Sequence, residues 1–297
     1  MELRHLRYFV AVAEELNFTR AAERLHIGQP PLSQQIQALE EKLGVQLFER
    51  TKRRVALTPA GQRFLEHARR VLEQAGRAVD DVRRVARGEV GELKIGFTSS
   101  LPFTAVLPNV VRRYREQRPD VTLNLREMFT PDQYVAIEAG ELDLGFVRYT
   151  GLETPAGLDV REIHHDPLRL VINAAHPLAS RPVLSLADLH GEGFITYPIT
   201  VGTGLTILLR ELCLKAGFEP HIVQIAGEAT TQIGLVAAGL GVALLPAPLE
   251  CVRIEGVRYL PVSDPDAYLS LGVATRKGDR NPLVEQFLSN LEPAREG

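Results

Sequence analysis

The sequence of 297 residues has few cysteines, no long apolar run and little net charge. Its two cysteines, Cys213 and Cys251, are too few and too far apart for a disulfide scaffold or a thiolate zinc site, so we expect no metal. No segment approaches the roughly 18 consecutive apolar residues of a membrane span, and the charged start MELRHLRYF is unlike a signal peptide. We therefore expect a cytoplasmic protein that does not contact membranes. The formal net charge of −3, taken alone, argues against a nucleic-acid partner.

The charge is unevenly distributed along the chain. Residues 1–88 contain 16 Lys and Arg against 11 Asp and Glu, a balance of +5, whereas the remainder carries −8. This asymmetry indicates a basic N-terminal module joined to an acidic body, and it favours a polyanion as the partner of the basic module. The remaining composition, 45% hydrophobic and 24% charged, is typical of a globular protein, and the length suggests about two domains.

Residues 1–44 predict three short helices. Apolar residues at helical spacing predict a first helix that ends near Leu16 and a second that Asn17 caps. After a tight turn containing Gly28, Gln29-Pro30-Pro31 opens a third helix that Gly44 ends. Such a helix-turn-helix places the polar N-terminal face of its last helix in the major groove of double-stranded DNA. Gln can pair with adenine, Ser can contact bases or phosphates, and the helix N-terminus favours a phosphate.

A basic hairpin and a long helix follow. Residues 45–57 predict a β-hairpin with a cationic tip at 50–54. This tip can contact the DNA backbone along the adjacent minor groove. The alternative is that 50–54 is a solvent-exposed loop without a ligand. In a helix over residues 59–87, apolar residues from Phe64 to Val85 recur at alternating spacings of four and three. This heptad seam predicts a dimer and hence a pseudo-palindromic DNA site. The alternative is that this helix packs on the acidic body of its own chain.

From Gly91 onward, short apolar strands alternate with helices. Strands over 93–97, 121–125 and 142–147 with intervening helices predict a βαβαβ unit with a parallel sheet, and a second series runs from 168 to 246. A strand over 269–275 and a helix over 282–291 are predicted to return to the first unit. Two such lobes form a cleft, in which ligands bind at the C-terminal ends of strands and at helix N-termini.

Hydroxyl groups and one cation fall at those positions of the two lobes. Free N–H groups and hydroxyls at converging helix starts predict a small anionic ligand that carries a carboxylate, with Arg148 supplying charge. Helix capping without a ligand is the alternative for each hydroxyl. The candidate effector-binding residues are Ser99, Ser100, Thr130, Arg148, Thr203 and Thr230.

Other functional classes find no support in the sequence. It contains no Walker loop, no dinucleotide-binding GxGxxG after a strand and no GxSxG elbow, so we expect no enzyme and no cofactor. The segment His164-His165-Asp166 is predicted to be an exposed loop rather than a metal site. Cys213 lies in an apolar stretch and is predicted to be a structural thiol rather than a redox switch. An exported solute-binding protein would explain the acidic body but not residues 1–88.

Residues 9–61 closely resemble the N-terminal domain of LysR-type transcriptional regulators. The matches include Ala21-Ala22, Gln29-Pro30, Leu43-Gly44 and Thr58-Pro59-Ala60-Gly61, and weaker similarity extends over the whole chain. The expected fold is α/β and multidomain. It comprises a winged helix-turn-helix (1–58), a linker and dimerisation helix (59–88) and a two-lobed effector domain of the type 2 periplasmic-binding-protein fold (89–297). We place lobe I at 89–161 and 267–297, and lobe II at 162–266.

The resemblance also implies a function. Such a regulator binds DNA as a dimer of dimers under the control of a metabolite in the cleft, and RNA polymerase is a candidate partner. The effector domain looks most like the branch that senses muconate and related acids of aromatic degradation. An amino acid, another non-aromatic metabolite and ligand-independent regulation are the alternatives. The DNA-binding residues that we predict are Gln29, Pro30, Pro31, Ser33, Gln34, Arg53 and Arg54.

Overall fold

A computed structural model describes residues 1–51, 54–149, 154–199 and 204–291. The chain divides into two compact units, Met1–Ala86 and Arg87–Gly297. The first unit is helical with a small hairpin, and the second is a mixed α/β body. Within the described ranges, no helix is long and apolar enough to cross a membrane.

Three short helices, a hairpin and a long helix form the first unit. In chain order they are α1 (Leu3–Glu15), α2 (Phe18–Arg24), α3 (Gln29–Leu43), β1 (Phe48–Arg50), β2 (Val55–Leu57) and α4 (Pro59–Ala86). Their apolar faces meet in one core around Phe9, Ile36 and Phe48, to which Ala68 of α4 contributes. This order is the predicted helix-turn-helix followed by a hairpin and a long helix.

The turn between α2 and α3 contains Gly28, although the glycine is not the residue in the left-handed conformation. His26, with φ of 54°, takes the left-handed conformation, whereas Gly28 has an ordinary φ of −70° and precedes α3 as its N-cap. A Cβ on Gly28 would lie 3.2 Å from the Cδ of Pro31. The glycine therefore serves the close approach to the proline ring and not the reversal of the chain.

The long helix α4 has two different halves. Its N-terminal half packs on the core of the unit, where Ala68 is buried. Its C-terminal half leaves Val79, Val82 and Val85 exposed by 50%, 70% and 57%. A row of exposed valines is an apolar surface that the folding of this unit does not bury.

The second unit consists of two lobes connected by two long strands. Its elements are β3 (Gly91–Phe97), α5 (Val106–Gln117), β4 (Val121–Glu127), α6 (Thr130–Glu138), β5 (Leu144–Tyr149), β6 (Leu158–Asn173), β7 (Gly193–Thr196), α7 (Gly204–Lys215), β8 (His221–Ile225), α8 (Ala229–Ala237), β9 (Ala243–Pro246), β10 (Val257–Pro261), β11 (Tyr268–Arg276) and α9 (Pro282–Ser289). One core packs beneath β3, β5 and β11, and a second packs around β6, β7 and β9. β6 and β11 contribute to both cores.

The main sheet has the strand order β10-β6-β11-β5-β3-β4, and β9 also pairs with β6. The strands β4, β3 and β5 are parallel, as the βαβαβ pattern predicts. The strand β11 runs antiparallel to both β5 and β6, so the sheet is mixed and not parallel throughout. The predicted return of the chain is confirmed, because β11 pairs with β5 and Phe287 of α9 packs on Tyr114 and Phe146.

The strand β6 begins ten residues before 168, where the second predicted series starts. Its first part, up to Pro167, pairs with β11, and its continuation from Leu168 pairs with β9 and β10. The strand therefore passes from one lobe to the other after Pro167, later in the chain than the predicted 161/162 boundary.

His164-His165-Asp166 lies in this strand and not in a loop as predicted. The first part of β6 carries charged side chains on a half-exposed face, so a search for apolar runs does not find it.

Candidate functional site

The N-terminal end of α3 presents a polar surface. It consists of exposed Gln29, Pro30, Pro31 and Gln34 with half-buried Ser33. Buried Leu32 and Ile36 fix the helix from its opposite face. The two prolines lack an N–H, and the N–H of Leu32 is bonded to the oxygen of Gly28 at 3.2 Å. The first turn therefore lacks the row of free backbone donors expected to bind a phosphate, and recognition falls to the side chains.

The hairpin next to α3 contributes fewer cations than the sequence suggests. Arg50 donates to Glu40 at 2.6 Å, and its guanidinium lies 4.9 Å from the ring centroid of Phe18. It therefore holds the hairpin onto the helices instead of pointing to a ligand. Arg54 is exposed at the tip. Arg53 lies outside the described residues.

A small cavity lies between the two lobes of the second unit. Its volume is about 40 Å³, more than the ~10–15 Å³ that one water needs. The described residues that line it are Thr98, Ser99, Ser100, Phe129, Thr130, Arg148, Tyr197, Leu205, Pro246 and Leu269. Four of the six predicted effector residues are therefore brought together. Thr230 is exposed on α8 and is not among the described lining residues, and Thr203 lies outside the described ranges.

Arg148 is the central polar group of this cleft. It is only 5% exposed, and its Nη1 forms an ion pair with Asp166. Its Nε donates to the hydroxyl of Ser100 and its Nη1 to the carbonyl of Leu269, both at 3.4 Å. Its Nη2 is buried without a hydrogen-bond partner in the described part of the chain. One N–H group of a buried cation at the cleft is thus unsatisfied, which is costly without a ligand or water.

The hydroxyls around Arg148 have different roles. Thr130 donates to the carbonyl of Arg148 at 3.0 Å and accepts from its N–H at 3.1 Å, so it joins α6 to β5. Thr98, just after β3, has a buried Oγ1 with no hydrogen-bond partner among the described residues. Thr98 was not among the predicted residues, although it precedes Ser99 and Ser100 in the same loop.

Two further groups were absent from the predicted set. Asp166 lies in β6 and is 3% exposed, and no spacing in the sequence relates it to Arg148. Tyr197, after β7, lines the cavity, and burial raises the pKa of its phenol, so the hydroxyl stays neutral.

Elsewhere in the second lobe, Cys213 is fully buried and burial raises the pKa of its thiol to about 12, as expected of a structural thiol.

Two family models cover nearly all of these elements. A bacterial regulatory helix-turn-helix protein of the lysR family matches residues 3–62, and a LysR substrate-binding domain matches residues 86–295. The chain belongs to the LysR family of transcriptional regulators. This LysR regulator is 45% identical over 292 residues to YnfL of Escherichia coli strain K12, an uncharacterized HTH-type transcriptional regulator, and the alignment covers 98% of each chain.

Two solved LysR structures match the units of the chain. Full-length CbnR complexed with its target DNA is 33% identical, covers 98% of both chains and superposes with a TM-score of 0.81. The BenM effector-binding domain with its effector benzoate is 27% identical and covers 68% of this chain and 90% of that chain, with a TM-score of 0.61. The predicted family and fold class are confirmed, and the function is regulation of transcription and not catalysis.

Proposed function

We propose that this LysR regulator binds a small carboxylate metabolite at Arg148 and that the metabolite controls its action on promoter DNA. The observation that carries the proposal is the unsatisfied Nη2 of the buried Arg148 at the cleft. A carboxylate oxygen can accept this N–H, and a second oxygen can accept from the hydroxyl of Thr98. The benzoate complex of the BenM effector domain supports a carboxylate ligand for a domain of this fold.

The walls of the cavity favour an apolar body for the effector. Phe129, Leu205 and Leu269 line it, and its described residues include no carboxylate. The α-ammonium group of an amino acid would meet no carboxylate among these lining residues, and an ammonium buried without a partner costs several kcal/mol. The lining therefore supports an organic acid over an amino acid.

The small volume of the cavity couples binding to a change of shape. A space of about 40 Å³ is small for an organic acid. We propose that the two lobes separate or their side chains rearrange when the ligand enters. A ligand that binds the open arrangement more tightly shifts the population towards it, and this difference in affinity transmits the signal.

The effector site is tested by isothermal titration of the full-length protein with benzoate, muconate, acetate and glycine. We expect at least one of the three organic acids to bind and glycine not to bind. The variants Arg148→Gln and Thr98→Val should weaken binding at least about tenfold, because each removes a group that contacts the carboxylate. Arg112→Gln, on the exposed face of α5, serves as the control and should bind as the parent does. Unchanged affinity in both cleft variants would place the effector elsewhere.

For DNA, we propose that Ser33 and Gln34 contact bases and that Arg54 contacts the backbone. Both side chains of α3 lie on its outward face, and Arg54 is exposed on the hairpin. Gln34→Ala should then cost about 1–3 kcal/mol on the specific site and little on unrelated DNA, whereas Arg54→Ala should weaken both alike and reduce the salt slope by about one. Fluorescence anisotropy on a footprinted promoter site and on a scrambled duplex measures both effects. Equal losses for the two variants would move base recognition away from Gln34.

A further inference from the structure

We propose that Asp166 and His164 of β6 set the strength and the pH dependence of effector binding through Arg148. When His164 is neutral, Asp166 compensates the charge of Arg148. When His164 gains a proton, it competes for Asp166, and Arg148 binds a carboxylate more tightly. This inference rests on the proposed effector site, and neither residue was predicted to take part in it.

The three side chains form a continuous series from an outer cavity to the cleft. Nε2 of His164 lies 3.4 Å from Oδ1 of Asp166, whose other oxygen, Oδ2, is in ion-pair contact with Nη1 of Arg148. His164 is half-exposed and lines a separate cavity of about 650 Å³, and Asp166 lines the same cavity. Arg148 lines the cleft. Asp166 is thus shared between a side chain that exchanges protons with solvent and the cation that meets the ligand.

His164 and Asp166 lie two residues apart in the regular part of β6 and share one face, and a β-bulge precedes them. His164 pairs with Leu271 of β11 and Glu162 pairs with Gly272, so Ile163 is the extra residue. Bulges redirect side chains relative to a regular strand. The bulge lies between Glu162 and His165, which are in contact at 2.9 Å, and His165 also contacts the ring of Tyr268. Two adjacent histidines therefore have separate acidic partners.

The charges of His164, Asp166 and Arg148 determine whether effector affinity rises or falls with pH. With His164 neutral, Arg148 and Asp166 sum to zero and the cleft offers an anion little net attraction. Protonation of His164 adds one positive charge next to Asp166 and weakens the hold of Asp166 on Arg148. Histidine is the side chain that normally changes charge between pH 5 and 8, while a carboxylate effector stays ionised there. Affinity should therefore increase as the pH falls through that range.

The other groups around His164 do not reverse this dependence of effector affinity on pH. From α5, Arg113 lines the same cavity and stays cationic at every relevant pH. The residues that line the cavity from the other elements, Pro248 and Asn290 among them, carry no charge, and Leu271 is the partner of His164 in β11. Within the described lining, Asp166 is the only acidic group that His164 meets.

Titration of the full-length protein with benzoate between pH 6 and pH 8 tests the proposal. The parent should bind benzoate about three- to tenfold more tightly at pH 6 than at pH 8, within the usual range of coupling between two sites. His164→Gln should bind with an affinity that does not depend on pH. His165→Gln is the matched control and should keep the dependence of the parent. A dependence that persists in His164→Gln, or that disappears in His165→Gln, would overturn the proposal.

A second measurement needs no ligand and separates this inference from the effector site. In NMR spectra recorded at one pH, the His164 ring signals should differ between Asp166→Asn and the parent because their contact is lost, and the His165 signals should not move. Unchanged His164 behaviour would overturn the inference alone. If the His164 signals respond as expected but no organic acid binds at any pH, the proposed effector site is contradicted. The proposed control of effector affinity by His164 is then contradicted as well. Asp166→Asn should also bind benzoate more tightly than the parent at pH 8.

Discussion

At the scale of single residues, the start of α4 depends on a glycine. Thr58 donates its hydroxyl hydrogen to the oxygen of Gln46 at 2.8 Å and accepts the N–H of Gly61 at 2.9 Å. A Cβ on Gly61 would lie 2.1 Å from the oxygen of Leu47, which is backbone and cannot move aside easily. The sequence predicts the capping threonine, but no local pattern shows that the helix passes this close to the hairpin.

Gly61→Ala should therefore destabilise the first unit. The added methyl group forces the helix away from the hairpin, and overpacking of this kind typically lowers the free energy of unfolding by about 1–3 kcal/mol. Urea denaturation followed by circular dichroism measures the change. Gly76→Ala is the matched control in the same helix, because nothing lies within 4 Å of its Cβ position. The control should raise the stability by about 0.5–1 kcal/mol, and an equal gain for Gly61→Ala would contradict the structure.

At the scale of elements, Glu14 connects three helices of the first unit. Its carboxylate accepts from Arg24 of α2 and Arg69 of α4, each at 2.8 Å. Hydrogen bonds from Arg69 and Arg24 hold the pKa of Glu14 below its ordinary value. The orientation of the helix-turn-helix on the long helix thus includes an electrostatic contribution in addition to the apolar core.

This carboxylate should make the stability of the first unit depend on pH in a defined direction. A group whose pKa is lowered by folding stabilises the folded state above its ordinary value of 4.5, and the contribution disappears as the pH falls through the lowered value. Glu14→Gln should lower the free energy of unfolding at pH 7, measured by thermal denaturation, by no more than about 1 kcal/mol since the side chain is partly exposed. The variant and the parent should converge at acidic pH, below the lowered pKa of Glu14. Glu66→Gln, at an exposed i,i+3 pair with Arg63, is the control and should change little.

The elements also show why sequence reasoning succeeded for some parts and failed for others. The start of α3 was predictable because Pro30 and Pro31 fit only a first turn. Ser100 and Arg148 were predictable as cleft residues because Ser100 follows β3 and Arg148 lies at the C-terminal end of β5. Asp166 was missed because its contact with Arg148 depends on the pairing of distant strands. The direction of β11 was missed for the same reason, since residues inside a strand do not specify its neighbours.

At the scale of the whole molecule, the charge asymmetry follows the division into units. The boundary at Ala86 falls close to the point where the balance changes from +5 to −8. The basic unit also carries the exposed valines of α4. We propose that these valines pair with those of a second copy and that such dimers form the tetramer, so that two recognition helices meet one pseudo-palindromic site.

Val82→Glu should disrupt this pairing. Val82 is 70% exposed in the single chain, so the substitution costs the monomer little, but it places a charge in the proposed seam. Light scattering after size-exclusion chromatography should show a smaller assembly, and affinity for the palindromic site should fall about tenfold or more because bivalent binding is lost. Arg77→Gln changes the charge by the same amount on the far side of the helix and should keep the parent assembly. An unchanged mass for Val82→Glu would place the dimer contact elsewhere.

The position of Arg148 beside the two connecting strands has a mechanical consequence. Its guanidinium meets Asp166 in β6 and the carbonyl of Leu269 in β11, next to the points where these strands pass from lobe to lobe. A ligand bound at Arg148, as we propose, would act close to this pivot, where a displacement of a fraction of an ångström becomes a larger excursion at the far edges of the lobes. Even a small molecule would then change the separation of the lobes, as a small displacement near a fulcrum moves the end of a long lever through a large distance.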